Sequence, residues 1–208
     1  AGLRKKGKIG YSIERFAMVR AVRSIERCDV ALVVLNMEDG ITDQDLKIAG
    51  IVKEYNKGAI FLLNKWDTLK APGEFFKTVM EEMVRKMWFS QYAPVITTSG
   101  LVKKRITKVF PVVDKIIEER TKRIKTSELN KFFGSIMSQI SLPMYKGKEV
   151  KLKYMTQTGT EPPAFVIFAN YKDAIKDSHL RFIEKKLREH FGFEGTPLKI
   201  FVRPKKTT

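Results

Sequence analysis

The sequence predicts an α/β protein in which an open parallel sheet is followed by a small α+β domain. Up to about residue 123, short continuous apolar runs alternate with amphipathic stretches, the pattern typical of an open α/β sheet. The order of elements then changes to α-β-β-α-β. With 208 residues, 43% of them hydrophobic, the chain is long enough to bury one sizeable core or two small ones.

The first part begins with a helix and a buried strand. Apolar residues recur at helical spacing over 12–27, with arginines between them. The run 30–35 is continuous and rich in β-branched residues, which predicts a strand buried on both faces of a parallel sheet. A helix follows from about Asp43, and the pattern then repeats as strand 59–63, helix 74–88, strand 94–97 and helix 102–123.

A domain boundary is predicted near the basic stretch that follows residue 119, dividing the chain into domains 1–122 and 123–208. The second domain is predicted as helix 126–140, strand 150–156, turn 159–163, strand 164–169, helix 177–190 and strand 198–202.

The charge indicates a polyanionic partner. The chain has 40 Lys and Arg against 23 Asp and Glu, a net charge of +17, and such an excess neutralises phosphates. Residues 121–208 hold 18 basic against 8 acidic side chains, so this part alone carries +10. A basic protein without such a partner is the alternative. A single cysteine, no signal peptide and no apolar run long enough to span a bilayer predict a cytoplasmic protein without membrane association.

The motif Asn64-Lys65-Trp66-Asp67 follows a predicted buried strand directly, where open α/β sheets place ligand-binding loops. It matches the guanine-specificity motif N-K-x-D. Guanine presents two adjacent donors, and the Asp67 carboxylate can accept both. Asn64 would hold the loop and reach the base, and the stem of Lys65 would cover the ring. A plain strand-to-turn segment is the alternative, because four-residue patterns also occur by chance.

One strand later, the segment Thr97-Thr98-Ser99-Gly100 stands where GTPases place the loop whose backbone N–H groups meet the guanine oxygen. We therefore expect Ser99 and Gly100 to complete the base site. In GTPases this loop usually contains Ser-Ala, where this chain has Ser-Gly.

Bacterial Der/EngA GTPases contain two Era-like G domains. Four segments of this chain resemble parts of the second of these domains, in the same order: 1–8, 26–30, 39–45 and 64–67. Segments 154–157, 162–163 and 195–198 are similar to that family's terminal KH-like domain. The resemblance implies a partial Ras-like G domain followed by a KH-like RNA-binding domain. It further implies a GTP-hydrolysing assembly factor of the large ribosomal subunit, whose binding to ribosomal RNA is switched by GTP.

The sequence lacks the motif with which such GTPases bind the phosphates of the nucleotide. No G-x-x-x-x-G-K-[ST] pattern occurs, so we expect a truncated G domain that binds nucleotide poorly and is inactive alone. Gly2 resembles the switch glycine that senses the γ-phosphate, and Leu3 stands where many GTPases have a water-orienting glutamine. By resemblance, the intact protein uses GTP or GDP with Mg²⁺, has K⁺ as a candidate second cation, and contains another G domain upstream.

The RNA-binding candidates are basic residues with regular spacing in the second domain. Lys151 and Lys153 alternate with apolar residues along a predicted strand, and Arg181, Lys185 and Arg188 share one side of a predicted helix. Solvated faces of amphipathic elements are the alternative. The pattern Gly192-Phe193-Glu194-Gly195 is interpreted as a helix end and a turn, because a KH clamp joins two helices.

Five aromatic residues are expected in the core and not on a base-stacking surface: Phe132, Phe133, Phe165, Phe168 and Phe182. No metal site is predicted, since His179 and His190 are far apart along one helix. DNA is not an expected partner. The competing functional hypothesis is a nucleotide-independent RNA-binding or scaffold protein.

Overall fold

The computed structural model describes residues 11–69 and 71–205, so Gly2 and Leu3 lie outside the described residues. The chain divides into two compact units, the first made of residues 1–117 and 194–197 and the second of 118–193 and 198–208. Within the described part of the chain, no helix is long and apolar enough to cross a membrane.

The first unit contains the predicted parallel sheet. Its strands are β1 (Val30–Asn36), β2 (Gly58–Asn64) and β3 (Val95–Thr97), hydrogen-bonded in the order β1-β2-β3. Because all three run in the same direction, their carboxyl ends lie along one edge of the sheet. The helices of this part of the chain are α1 (Tyr11–Arg27), α2 (Asp43–Glu54), α3 (Pro72–Lys86) and α4 (Val109–Thr121).

Strand β2 is buried on both faces, as its apolar run predicts. Phe61 and Leu63 belong to the larger core cluster, whereas Ile60 and Leu62 pack with residues of α4. Strand β1 differs from the prediction, because Leu32 and Val34 are 47% and 56% exposed. On this face only Val30, at the start of the strand, packs against residues of α4.

The last helix of the first part begins later than predicted. Residues 102–108 are not α-helical: Ser99 and Lys104 form an antiparallel bridge, and a short 3₁₀ turn spans Ile106–Lys108. Lys103 and Arg105 have φ values of 53° and 59°, in the left-handed region that an α-helix cannot include. The prediction relied on the helical spacing of apolar residues. However, Leu101 and Val102 are exposed and do not form the buried face of a helix.

The second unit is an α+β structure. It contains α5 (Thr126–Ile136), β4 (Met144–Tyr145), β5 (Lys148–Glu149), β6 (Leu152–Gly159), β7 (Ala164–Ala169), α6 (Asp177–Phe191) and β8 (Lys199–Pro204). Strand β7 is central, pairing antiparallel with β6 and parallel with β8. Helix α5 is shorter than predicted and continues as a 3₁₀ turn, Met137–Gln139. The β4–β5 hairpin was not predicted, because two-residue strands carry no periodicity.

A single core holds the second unit together. Met155, Phe165 and Ile167 of the sheet pack against apolar residues of α5 and α6. The buried Gln157 also stabilises this unit: its side-chain oxygen accepts the Ile124 N–H at 2.8 Å, and its amide donates to the Lys122 carbonyl at 2.8 Å. A buried amide is tolerated because backbone groups satisfy it.

Four of the five aromatics expected in this core lie there or pack against it, namely Phe132, Phe133, Phe165 and Phe182. The expectation for Phe168 was wrong. Its side chain stacks on Tyr154 on the other face of the sheet. Alternate residues of a strand point to opposite faces, and the odd-numbered residues of β7 occupy the core.

Candidate functional site

The candidate site lies at the carboxyl ends of β2 and β3, where Asn64 joins two loops. Asn64 is the last residue of β2, and its Oδ1 accepts the backbone N–H of Gly100 at 3.0 Å. The two loops are also tied by backbone bonds, from Thr98 N–H to Leu63 carbonyl at 2.8 Å and from Trp66 N–H to Thr98 carbonyl at 3.1 Å. Asn64 therefore holds the two loops together.

The loop after β3 is well ordered by its own contacts. Thr98 and Ser99 are buried, with 2% and 0% exposure. The Ser99 hydroxyl accepts the Val102 N–H at 3.2 Å, and Ser99 exchanges two backbone hydrogen bonds with Lys104. Gly100 is exposed. The Ser99 side chain thus shapes the loop from within, and Gly100 is the residue of the pair that faces solvent.

The Lys65 side chain is held by a partner that the sequence did not reveal. Lys65 has a φ of 61°, so the chain turns sharply after Asn64. Its ammonium forms an ion pair with Glu38 in the loop after β1. That loop is closed by the Asn36 amide, which donates to Asp39 at 2.6 Å. Asn36, the last residue of β1, pairs in register with Asn64 at the end of β2, and this pairing brings the Glu38 loop beside Lys65.

The Asp67 carboxylate is a hydrogen-bond acceptor that faces solvent. Its side chain is exposed, and no donor among the described residues bonds to its carboxylate. The preceding residue, Trp66, is buried and packs against the rings of Phe75 and Phe76, with centroids 6.1 Å and 5.9 Å away. The packing anchors the loop, while the Asp67 side chain stays exposed to solvent.

Three of the five basic residues predicted for RNA binding already have acidic neighbours. The Lys151 ammonium lies 2.8 Å from Glu149, and this hydrogen bond raises the lysine pKa. Lys185 lies 3.9 Å from Glu189 and stays largely exposed. The Arg188 guanidinium donates to Glu184 at 2.8 Å and to the Phe193 carbonyl at 2.7 Å, so it stabilises the end of α6.

The other two candidates, Lys153 and Arg181, are exposed, and no ion pair to either occurs within the described residues. Arg181 and Lys185 lie on α6, and Lys153 lies on β6. The Gly192–Gly195 segment is interpreted correctly: α6 ends at Phe191, Gly192 caps it with a φ of 90°, and Gly195 lies in a turn with a φ of 74°.

Replacing Asn64 with alanine is expected to loosen the loop after β3. The Gly100 N–H loses its acceptor, and a hydrogen bond of this kind contributes about 1 kcal/mol. Hydrogen exchange of the Gly100 amide should accelerate accordingly, whereas Asn64→Asp, which keeps an acceptor oxygen, should retain most of the protection. Unchanged exchange in Asn64→Ala would contradict the bridging role.

Comparisons with known proteins identify relatives of this chain. A family model for the elongation factor Tu GTP-binding domain matches residues 17–119, and one for the KH-domain-like region of EngA bacterial GTPase enzymes matches residues 123–203. GTPase Der of Thermodesulfovibrio yellowstonii is 45% identical over 199 residues, which are 93% of this chain and 44% of that protein. This chain belongs to the Der/EngA family.

Other Der proteins show the same extent of similarity. GTPase Der of Natranaerobius thermophilus is 39% identical over 99% of this chain and 47% of its own length. The chain thus spans about half the length of the Der relatives that it matches. Among solved structures, Aquifex aeolicus Era bound to GDP.AlF4- has a TM-score of 0.44 and 16% identity, covering 98% of this chain and 74% of that one.

Proposed function

We propose that this chain provides guanine recognition and RNA binding in a GTP-hydrolysing ribosome-assembly factor. The observation that carries the proposal is the pairing of Asn64 Oδ1 with the Gly100 N–H beside an exposed Asp67 without a donor among the described residues. Adenine has no donors that match guanine N1–H and its exocyclic amine, so it would leave this carboxylate desolvated and unpaired. Membership of the Der/EngA family supports the same proposal.

The described residues include side chains and backbone groups that suit the guanine base, but no motif that suits the phosphates. Asp67 would accept the two guanine donors, Gly100 would offer its backbone toward the guanine oxygen, and Lys65 would release Glu38 to cover the ring. No G-x-x-x-x-G-K-[ST] pattern occurs in the 208 residues. We propose that phosphate, Mg²⁺ and any K⁺ are bound by residues of a longer form of the protein, in which Gly2 contacts the γ-phosphate.

The RNA-binding part of the proposal concerns the C-terminal domain, taken as residues 123–208 after a G-domain part of 1–122. We propose that its partner is ribosomal RNA of the large subunit and that the nucleotide state changes RNA affinity. The net charge of +10 over residues 121–208 supports a polyanionic partner. The exposed Arg181 and Lys185 form the basic side of α6, with Lys151 and Lys153 as further candidates.

Calorimetry with GDP and ADP tests the nucleotide part. The 208-residue chain should bind GDP weakly, because phosphate and magnesium contacts supply the largest electrostatic contributions to nucleotide binding. A longer form that includes a phosphate-binding loop should bind GDP and reject ADP. If that form binds neither nucleotide, a nucleotide-independent RNA-binding or scaffold protein is the better description.

Reversing two charges on α6 is expected to weaken RNA binding. In Arg181→Glu with Lys185→Glu, each lost phosphate contact should lower the salt slope of log K by about 1. The measurement is RNA affinity at several salt concentrations. A matched control is Lys77→Glu with Arg85→Glu on α3, which changes the net charge equally at exposed positions of the first unit. Equal losses in the two double variants would contradict a site on α6.

A further inference from the structure

The sheet of the second unit has an outer face, opposite the core, that the proposed function does not use. Met155 of β6, Phe165 and Ile167 of β7 and Ile200 of β8 belong to the core or pack against it. The alternate positions therefore point away from it. In register across the strands they form two rows, which together define the outer sheet face: Tyr154, Phe168 and Arg203, and Thr156, Val166 and Phe201.

Aromatic rings are displayed on this face. Tyr154 and Phe201 are 36% and 51% exposed, although both are large hydrophobic side chains. The Tyr154 ring stacks on Phe168 with a centroid distance of 4.4 Å and an interplanar angle of 18°. This stacking covers one face of the tyrosine ring and fixes its orientation, because a stacked ring has little freedom to rotate. One face of a fixed aromatic ring is a surface on which a planar group can stack.

The three strands of this sheet contribute only positive charges. The strands Leu152–Gly159, Ala164–Ala169 and Lys199–Pro204 contain no aspartate or glutamate. Arg203 is exposed in the same row as Tyr154, and the Lys205 ammonium lies 5.6 Å from the centre of the Tyr154 ring. Among the described residues, no carboxylate pairs with Arg203 or Lys205. The outer sheet face therefore combines exposed rings with cations that are available to an anion.

This combination is the one that single-stranded nucleic acids require. Their bases stack on aromatic rings, and their phosphates are neutralised by neighbouring lysine and arginine side chains. A duplex keeps its bases stacked on one another, so it can use the cations of such a face but not its rings. A protein partner that buried these rings would have to leave Arg203 and Lys205 without counter-charges or provide carboxylates for both.

We propose that the outer sheet face binds single-stranded RNA, with one base on Tyr154 and another on Phe201. Arg203 and Lys205 contact the phosphates between and beside them. The two rings lie two strands apart and in neighbouring rows, a separation of about 12 Å, which is enough for two different bases of one strand. The proposal rests on the RNA binding proposed above and adds the form of the RNA. It also places the single-stranded RNA on a surface that is distinct from the basic side of α6.

The test compares a short labelled oligouridylate with a blunt RNA duplex of the same length, by fluorescence anisotropy on the 208-residue chain. In Tyr154→Leu and in Phe201→Leu, affinity for the single strand should fall about tenfold, as expected for the loss of stacking on one base. Affinity for the duplex should stay unchanged, because neither substitution alters charge. Phe110→Leu is a matched control, since Phe110 is a 66% exposed aromatic of α4.

The outcomes separate this inference from the proposed function. If the aromatic variants bind the single strand as tightly as the wild type while the α6 double variant loses RNA, the inference fails and RNA binding by α6 stands. That result would leave a protein partner as the occupant of the outer sheet face. If the wild-type chain binds neither RNA, the proposed RNA binding itself is wrong. Thermal unfolding of each variant verifies that it is folded.

Discussion

Asp67→Ala is expected to abolish the preference for guanine nucleotides in a form of the protein that binds GDP. The substitution removes the acceptor of two N–H donors, and each hydrogen bond to a charged group contributes about 1.5–3 kcal/mol. GDP affinity should therefore fall by a factor of about 10²–10⁴, with a much smaller effect on ADP. Calorimetry with both nucleotides measures the change.

A control variant and a variant with altered base preference test whether the effect is specific to Asp67. Asp29→Ala removes another exposed carboxylate, which precedes β1 at the opposite edge of the sheet, and it should leave GDP binding unchanged. Asp67→Asn replaces one acceptor with an amide donor, so it should favour xanthine, whose second oxygen stands in place of the guanine amine. If Asp67→Asn keeps GDP affinity and gains none for xanthosine diphosphate, Asp67 does not read the base.

Gly195→Ala is expected to destabilise the first unit strongly. Gly195 has a φ of 74°, and a Cβ at this position would lie 2.2 Å from Cγ1 of Ile116. Ile116 is only 1% exposed and packs in a small core with Ile60 and Leu62 of β2. The left-handed backbone and the overpacking together should lower the free energy of unfolding by about 3 kcal/mol.

The clash cannot be relieved by moving the Gly195 backbone without breaking other contacts. The Gly195 N–H donates to the Tyr92 carbonyl at 2.7 Å, and its carbonyl accepts the Ala59 N–H at 2.9 Å. Both partners are buried. A shift large enough to clear Ile116 would therefore leave buried backbone groups unsatisfied, and each of these costs free energy of its own.

Urea unfolding followed by the fluorescence of Trp66 and Trp88 measures this effect, since both tryptophans belong to the first unit. Gly40→Ala is the matched control, because Gly40 has a φ of 68° but a Cβ added there would meet nothing within 4 Å, so only the backbone strain of about 1 kcal/mol remains. In an Ile116→Ala background, which has a cavity cost of its own, Gly195→Ala should cost less than it does in the wild type. Equal costs at Gly40 and Gly195 would contradict the clash.

The sequence alone predicted the order of the main helices and strands in both units and the position of the N-K-x-D segment directly after a buried strand. Hydrophobic periodicity is local, so the apolar run of β2 identified a strand buried on both faces before any contact was known. The position of Asn64 directly after that strand then placed the motif at the ligand-binding edge of the sheet. The bridge from Asn64 to Gly100 agrees with the role expected for that asparagine.

Errors arose where local pattern and three-dimensional packing disagree. Residues 102–108 have helical spacing, but left-handed residues Lys103 and Arg105 prevent an α-helix there. Phe168 was expected in the core from its hydrophobicity, although the face it occupies depends on the register of β7. A shift of one residue in that register would exchange the two faces, and no local property of Phe168 reports it.

What the sequence by itself determined is therefore the α/β and α+β character of the two parts, the basic charge of the second and the place of the N-K-x-D segment after a buried strand. Tertiary structure alone decided that Glu38 pairs with Lys65, that Gly195 lies against Ile116, and that exposed rings and basic side chains share one face of a sheet. The reason is physical: composition and periodicity act between near neighbours in the chain, whereas these contacts join residues that only folding brings together.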